Sequence, residues 1–333
     1  MNNFGRIFRL SIFGESHGPV VGITLDGCPP GIPLSSDDFI KDLMRRKGAE
    51  LQGTTPRKES DIPKFLSGVF NGFTTGAPLT IVFENNNTIS SDYEQQRNIP
   101  RPGHADFVAS VKFNGFEDYR GGGHFSGRLT VCLVAAGVVA QRILNTNLTN
   151  ESKMVCQASL IEAGGNSNIE EAIAVAIADQ DSIGGIIECK VKGLPIGWGE
   201  PFFDSVESLI SHAVFSIPAI KGIEFGSGFT AATMKGSEHN DVQLDEKGTL
   251  KTNHSGGITG GITNGNELVF KVVVKPTSST PKAQNSFNLN SGKIENFTVR
   301  GRHDLCIALR VPVVLEAVTY CVLADLKLLQ GNR

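Results

Sequence analysis

GGGHFSGRLTVCLVAAGVVAQRIL (residues 121–144) is the stretch that decides the fold. From Gly127 to Leu144 it is apolar nearly all round, rich in Val and Ala, with no polar face. A helix of that kind is covered on every side. Its mostly apolar part, Leu129 to Ala140, is too short to span a bilayer. A buried central helix is therefore expected, entered through three consecutive glycines.

Working outward, Val20 to Asp26 reads as a strand closed by the turn Gly27-Cys28-Pro29-Pro30-Gly31. Ser35 or Ser36 caps a helix with Asp37 and Asp38 in its first turn, an apolar stripe of Phe39, Ile40, Leu43 and Met44, and Gly48 as its stop. Pro78 to Phe83, Ile186 to Val191 and Leu268 to Val274 read as strands, and Gln243 to Lys251 as an exposed hairpin. Ala105 to Phe113 reads as a short helix; Ile169 to Ala178 and Ser205 to Val214 read as amphipathic helices. Pro312 opens a last helix, with Leu315, Val318, Val322, Leu326 and Leu329 on one side and Gly331 beyond it. Strands and helices are mixed without clean β-α-β-α units. The expected class is α+β, one intertwined domain over residues 1–333.

Composition narrows the function. With 333 residues and 40% hydrophobic content, the chain can bury a sizeable core without disulfides or metals. Its 31 Lys+Arg against 34 Asp+Glu lack the basic excess of nucleic-acid or membrane-surface proteins. The six cysteines form no C-x-x-C pair and read as small buried hydrophobes. The first residues, Met1 to Arg6, show no apolar signal region, so a cytoplasmic protein is expected.

Five polar segments carry candidate chemistry. Gly14-Glu15-Ser16-His17-Gly18 presents a titratable residue on a sharp turn, and Ser16 is displaced from the slot a nucleophile elbow would need. Arg101-Pro102-Gly103-His104-Ala105-Asp106 places His104 at a helix start, where it acts as an acid or base or simply caps the helix. Tyr119 to Arg128 combines glycines, a hydroxyl and arginines into an anion cradle without a P-loop lysine. Lys275-Pro276-Thr277-Ser278-Ser279 follows a strand and suits phosphate, or is a polar strand-end loop. Arg300-Gly301-Arg302-His303-Asp304 precedes the last helix, with Arg310 nearby. Arg45, Arg46, Arg101, Arg120, Arg128, Arg302 and Arg310 recur beside the histidines, which predicts a pocket for a multiply charged anion. The histidines lack H-x-x-x-H spacing or a close carboxylate partner, so no metal site is expected.

Together these segments resemble chorismate synthase. Gly14–Gly18 with Asp26-Gly27, Arg101–Asp106 with Tyr119–Arg128, and Gly301–Asp304 with Glu316-Ala317 are similar to that family's signatures, and Gly68-Val69-Phe70 and Thr74-Thr75-Gly76 to a further family stretch. The resemblance implies a lyase that turns 5-enolpyruvylshikimate 3-phosphate into chorismate and phosphate. It uses reduced FMN without net redox, on a layered α+β sandwich assembled as a homotetramer. It implies catalytic roles for His17, His104 and Asp304: His17 towards the departing phosphate, His104 towards the reduced flavin, and Asp304 at the flavin's N5 edge. Substrate contacts are expected from Ser16, Arg46, Arg128 and Arg310. FMN contacts are expected from His124, Phe125, Ser126, Pro218, Ala219, Gly260, Lys275, Pro276, Thr277, Ser278, Ser279 and Arg302. The chain departs from the family pattern at Gln52, in place of a second substrate-side arginine, at His124-Phe125, in place of Arg-Ser, and at Leu305, in place of proline. No G-x-G-x-x-G follows a strand, which favours an external flavin reductant, with self-reduction by NADPH left open. A flavin oxidoreductase with net hydride transfer and a non-catalytic phosphate binder are the rival readings.

Overall fold

The structure, a computed structural model, describes residues 2–48, 51–54, 59–86, 97–146, 148–149, 152–299 and 304–331. In chain order, the first half supplies β1 (Asn3–Phe4), β2 (Arg9–Gly14), β3 (Val20–Asp26), α1 (Ile40–Lys47), β4 (Lys64–Ser67), the ribbon β5 (Val69–Phe70) and β6 (Phe73–Thr74), β7 (Leu79–Glu84), α2 (Asp106–Lys112) and α3 (Thr130–Asn145). The second half supplies β8 (Val155–Ala163), α4 (Ile169–Asp179), β9 (Gly185–Lys192), α5 (Val206–Val214), β10 (Ile220–Phe225) and α6 (Gly236–His239). It continues with β11 (Ile258–Thr259), β12 (Ile262–Thr263), β13 (Leu268–Val274), β14 (Gln284–Asn288), β15 (Lys293–Phe297) and α7 (Val311–Gln330).

Two antiparallel sheets frame the fold. One has the order β1-β2-β3-β7-β4 and the other β10-β13-β9-β8. Between them lie α3 and α7, with α3 against β3 and β7, and α7 against β8 and β9. The fold is thus α+β, a sandwich of two sheets with a helical layer between them. A single apolar core joins both sheets and both helices, from Phe8 and Ile23 through Val134 and Val318 to Phe270.

That layering explains why α3 and α7 lack a polar face. Val131 to Ala140 is buried without interruption, and so is α7 from Val313 to Leu326. The stripe Leu315, Val318, Val322, Leu326 and Leu329 therefore covers only part of a helix that is buried nearly all round. The helical spans Gly127–Asn145 and Ile307–Gln330 are long and apolar enough to cross a bilayer, longer than Leu129–Ala140 alone implied, yet 78% of the most apolar window of each is buried inside the protein.

Close contact between the two helices depends on one glycine. A Cβ added to Gly137 would lie 2.4 Å from both Cα and Cβ of Ala317. Only a bare Cα lets the backbones approach so closely. Local signals set the surrounding elements: Ser35 and Asp38 form a capping box before α1, Gly48 ends α1 at φ 60°, and Ser205 caps α5 by accepting from the Ser208 N–H. The segment 243–251 closes as an exposed loop held by a bridge between Gln243 and Leu250. All six cysteines are buried free thiols, and burial pushes Cys28 up to about 11 and Cys132 up to about 12.

Replacing Gly137 by Val should overpack the α3–α7 contact and cost about 3 kcal/mol. A urea midpoint that matches wild type would show that the two helices can separate without loss.

Candidate active site

The N-terminal ends of α3 and α7 open on a cavity of about 950 Å³. Its floor begins with Arg46 in the last turn of α1. The Arg46 Nη2 donates to Asp61 Oδ2 at 2.7 Å, and Arg128, just before α3, donates to Asp61 Oδ1. Arg128 also donates through Nε to Asn85 Oδ1 at 2.9 Å and through Nη2 to the Glu84 carbonyl at 3.1 Å. Arg310, at the start of α7, donates to the Arg46 carbonyl at 2.9 Å and to Asp304 Oδ2 at 3.0 Å. Three guanidinium groups thus share two carboxylates, all of them lining the cavity. Burial pulls Arg46 down to about 10; Asp61 opposes that shift, while Arg310 and Arg128 add to it. Its Nε is buried without a hydrogen-bond partner. Cations in this state favour an incoming polyanion.

The histidines meet at the glycine triplet. Gly121, Gly122 and Gly123 all have left-handed φ, at 60°, 88° and 52°. A Cβ on Gly121 would lie 2.4 Å from His17 Nε2, and one on Gly122 would lie 3.4 Å from His104 Nε2. Side chains there would collide with the first imidazole and crowd the second. His17 is 8% exposed and stands behind Gly121, which lines the cavity; His104 and Asp304 line it directly. The turn carrying His17 follows β2 and is clamped by Asn85, whose Nδ2 donates to the carbonyls of Glu15 at 3.0 Å and Gly18 at 2.8 Å. His124 Nδ1 lies 2.8 Å from the Gly14 carbonyl and ties the glycine loop to the same turn.

The opposite wall comes from Phe215 to Lys221 and from the loop after β13. Lys275 Nζ donates to the Gly103 carbonyl at 2.6 Å and to Ser278 Oγ at 3.1 Å, while Arg101 Nη1 donates to Ser279 Oγ at 3.3 Å. Thr277 Oγ1 is buried without a hydrogen-bond partner. Pro218, Ala219, Ser126, Phe125 and Lys275 through Ser279 all line the cavity.

Several expected contacts lie elsewhere. Ser16 is fully buried, and its hydroxyl is shared between the Arg120 and Gly121 carbonyls at 3.3 Å each, so it supports the glycine loop from behind. Gly260 sits in the turn between β11 and β12, outside the cavity lining. That turn is held at the N-terminal end of α5, where Val206 N–H donates to the Gly261 carbonyl, whereas the cavity meets the C-terminal end at His212 and Ala213. About 10 Å of helix separates Val206 from Ala213. Arg302, with Arg300, Gly301 and His303, lies outside the described residues. Arg45 turns away and makes a two-pronged pair with Glu316 at 2.6 and 2.8 Å, and Arg120 pairs with Asp118 at 2.7 and 2.8 Å. Neither joins the anion pocket, because adjacent residues near a helix end face different neighbours. His104 does have a close carboxylate partner, Asp106. Asp61 and Asn85 had no local signal; only folding brings them to Arg128. Among the described residues no group of three or more His, Cys, Asp or Glu could hold a metal ion.

The chorismate synthase family profile matches residues 8–328. The chain belongs to the chorismate synthase family. The family is one of lyases, so the protein is an enzyme of that class. A chorismate synthase from Chitinophaga pinensis is 65% identical over 330 residues, covering 99% of this chain and 97% of that one. A chorismate synthase from Korarchaeum cryptofilum is 43% identical, covering 97% and 96%. A solved structure, "Crystal Structure of Chorismate Synthase", aligns with a TM-score of 0.72 at 24% identity, covering 98% of this chain and 93% of that one, which shows the shared fold.

Asp61 supports a pH prediction. Burial would raise its carboxyl, but the charges and hydrogen bonds of Arg46 and Arg128 outweigh burial and hold it below the ordinary range. The folded protein thus binds fewer protons there than the unfolded chain. The pair stabilises fully above the unfolded value, near pH 4, and that support is lost as pH falls through the folded value. Asp61→Asn should cost about 3–5 kcal/mol at pH 7, by leaving buried cations without their anion. It should also flatten the acid limb of stability against pH. Urea unfolding at a series of pH values reads both, and an unaltered acid limb would contradict this account.

Proposed function

We propose that this protein converts 5-enolpyruvylshikimate 3-phosphate to chorismate and phosphate by an anti 1,4-elimination that requires reduced FMN and has no net redox change. The observation that carries the reading is the single cavity lined by buried Arg46 and Arg128, by half-buried Arg310, by His104 and Asp304, and by Gly121 with His17 behind it. Family membership selects this reaction among those a polyanion pocket could serve.

Two features fit a flavin mononucleotide. Unpartnered Thr277 Oγ1, with Lys275, Ser278 and Ser279 around it, offers hydroxyl and ammonium donors for a phosphate. Gly121 lines the cavity with bare backbone, which leaves room for a flat ring to approach. The residues that would hold the group are His124, Phe125, Ser126, Pro218, Ala219 and Lys275 through Ser279; Arg302 is proposed from family likeness alone. When bound in its reduced form, the flavin supplies electron density that helps expel the phosphate and is afterwards recovered.

The chain's own residues orient and move protons. Arg46, Arg128 and Arg310 bind the substrate's phosphate and carboxylates, replacing water with fixed donors. His17 carries a proton at the ring edge behind Gly121 and gives it to the departing phosphate. His104 holds a proton at the flavin side of the cavity. Asp304, oriented by Arg310, would take up, at the flavin's N5 edge, the proton lost from the substrate ring and pass it on to solvent. The protein acts in the cytoplasm as one catalytic unit, with flavin reduced by an outside donor. Exposed Leu66, Phe70 and Phe73 support assembly with further copies, proposed as a homotetramer.

Phosphate release from 5-enolpyruvylshikimate 3-phosphate, measured without oxygen, should occur with dithionite-reduced FMN and not with oxidised FMN. Steady consumption of one reductant per product would favour net hydride transfer instead. His17→Ala and His104→Ala should each lower turnover by about 10²-fold or more; near-normal rates would remove those residues from the mechanism.

A further inference from the structure

His104 Nδ1 lies 2.6 Å from Asp106 Oδ1. The same carboxylate is gripped by Arg101, which donates through Nε to Oδ2 at 2.7 Å, through Nη2 to Oδ1 at 2.7 Å and through its backbone N–H to Oδ2 at 3.1 Å. Arg101 is itself buried and braced by Ser279. Burial works to raise the Asp106 carboxyl, but the hydrogen bonds from Arg101 and His104 outweigh it and hold it well below the usual carboxylate range. Asp106 is therefore an ionised, acceptor-only partner.

That decides the histidine's tautomer. A carboxylate oxygen and a ring nitrogen at 2.6 Å need a proton between them, because two lone pairs at that distance repel. Arg101 Nη2 also lies 3.0 Å from Nδ1, but Nδ1 cannot accept from Arg101 while it donates to Asp106. The shorter contact, to a full negative charge, prevails. Nε2 is then the nitrogen free to exchange a proton; it lies 3.4 Å from where a Cβ on Gly122 would stand, and His104 itself lines the cavity. The charged groups around the ring are Asp106, Arg101 and, across Gly103, Lys275.

We propose that Asp106, clamped by Arg101, is the positioning residue for His104: it keeps a proton on Nδ1 and leaves Nε2 as the atom that gains and loses the working proton. This rests on the reading of His104 as an acid–base group and deepens it.

The test is nitrogen NMR of the full-length protein labelled with ¹⁵N-histidine, with the His104 signals assigned by their loss in His104→Gln. In the neutral ring, wild type should show a protonated Nδ1 and a bare Nε2. In Asp106→Asn, the Arg101 donors claim the amide oxygen and turn the amide N–H toward Nδ1, so the proton should move to Nε2. Turnover with reduced FMN should fall by about 10²-fold, no further than in His104→Ala, with KM little changed. Asp106→Glu should restore the Nδ1 proton and part of the rate. A wild-type ring protonated on Nε2, or an Asp106→Asn ring that keeps the Nδ1 proton at full turnover, overturns the proposal. The wild-type measurement requires no variant, so misfolding of Asp106→Asn cannot shield it. Absence of phosphate release by wild type would sink the proposed reaction while leaving the tautomer assignment to stand on its own spectrum.

Discussion

The contact between α3 and α7 at Gly137 and Ala317 is the constraint on which the rest depends. Each helix is covered by its partner and by one sheet, so neither can shift without opening the core. Their N-terminal ends then fix the site. α3 begins just after the glycine triplet and Arg128; α7 begins just after Asp304 and Arg310. α7 also reaches outward through Glu316, which accepts from Arg45 of α1 and from the Ala158 N–H of β8 at 2.8 Å. That link sets the rotation of α1 and turns Arg46, the next residue, into the cavity.

Desolvation explains the form of the anion pocket. Two buried guanidinium groups, Arg46 and Arg128, with half-buried Arg310 beside them, would repel one another and lose much of their water. Asp61 and Asp304 offset part of that cost, as buried charges require. One cation remains in excess of the two carboxylates, with an unpartnered Nε on Arg46. The excess positive charge favours a polyanion. Arg45 and Arg120, equally prominent in the sequence, are neutralised by Glu316 and Asp118 and serve the scaffold.

The side of the site that carries the histidines is arranged by backbone more than by side chains. Left-handed φ at residues 121–123 bends the loop so that two imidazoles, from turns far apart in sequence, stand against adjacent peptide units. His124 links this loop to the Gly14 carbonyl.

Much of this was legible in the linear sequence. Val20–Asp26, Leu268–Val274, the capped α1 and the buried α3 follow from local periodicity, caps and stops, because those signals act over a few residues. The histidine turns were visible as polar, glycine-flanked motifs. β14 and β15 escaped, since their residues are largely exposed or half-exposed and mostly polar and pair only because a neighbouring strand is present. β8 alternates buried and exposed residues but escaped as well. Tertiary structure alone decided which arginines face the cavity, that Ser16 works from behind the loop, and that Asp61 bridges Arg46 and Arg128. Those outcomes depend on direction and distance between residues 15 to 67 positions apart, or farther, which a linear pattern does not encode.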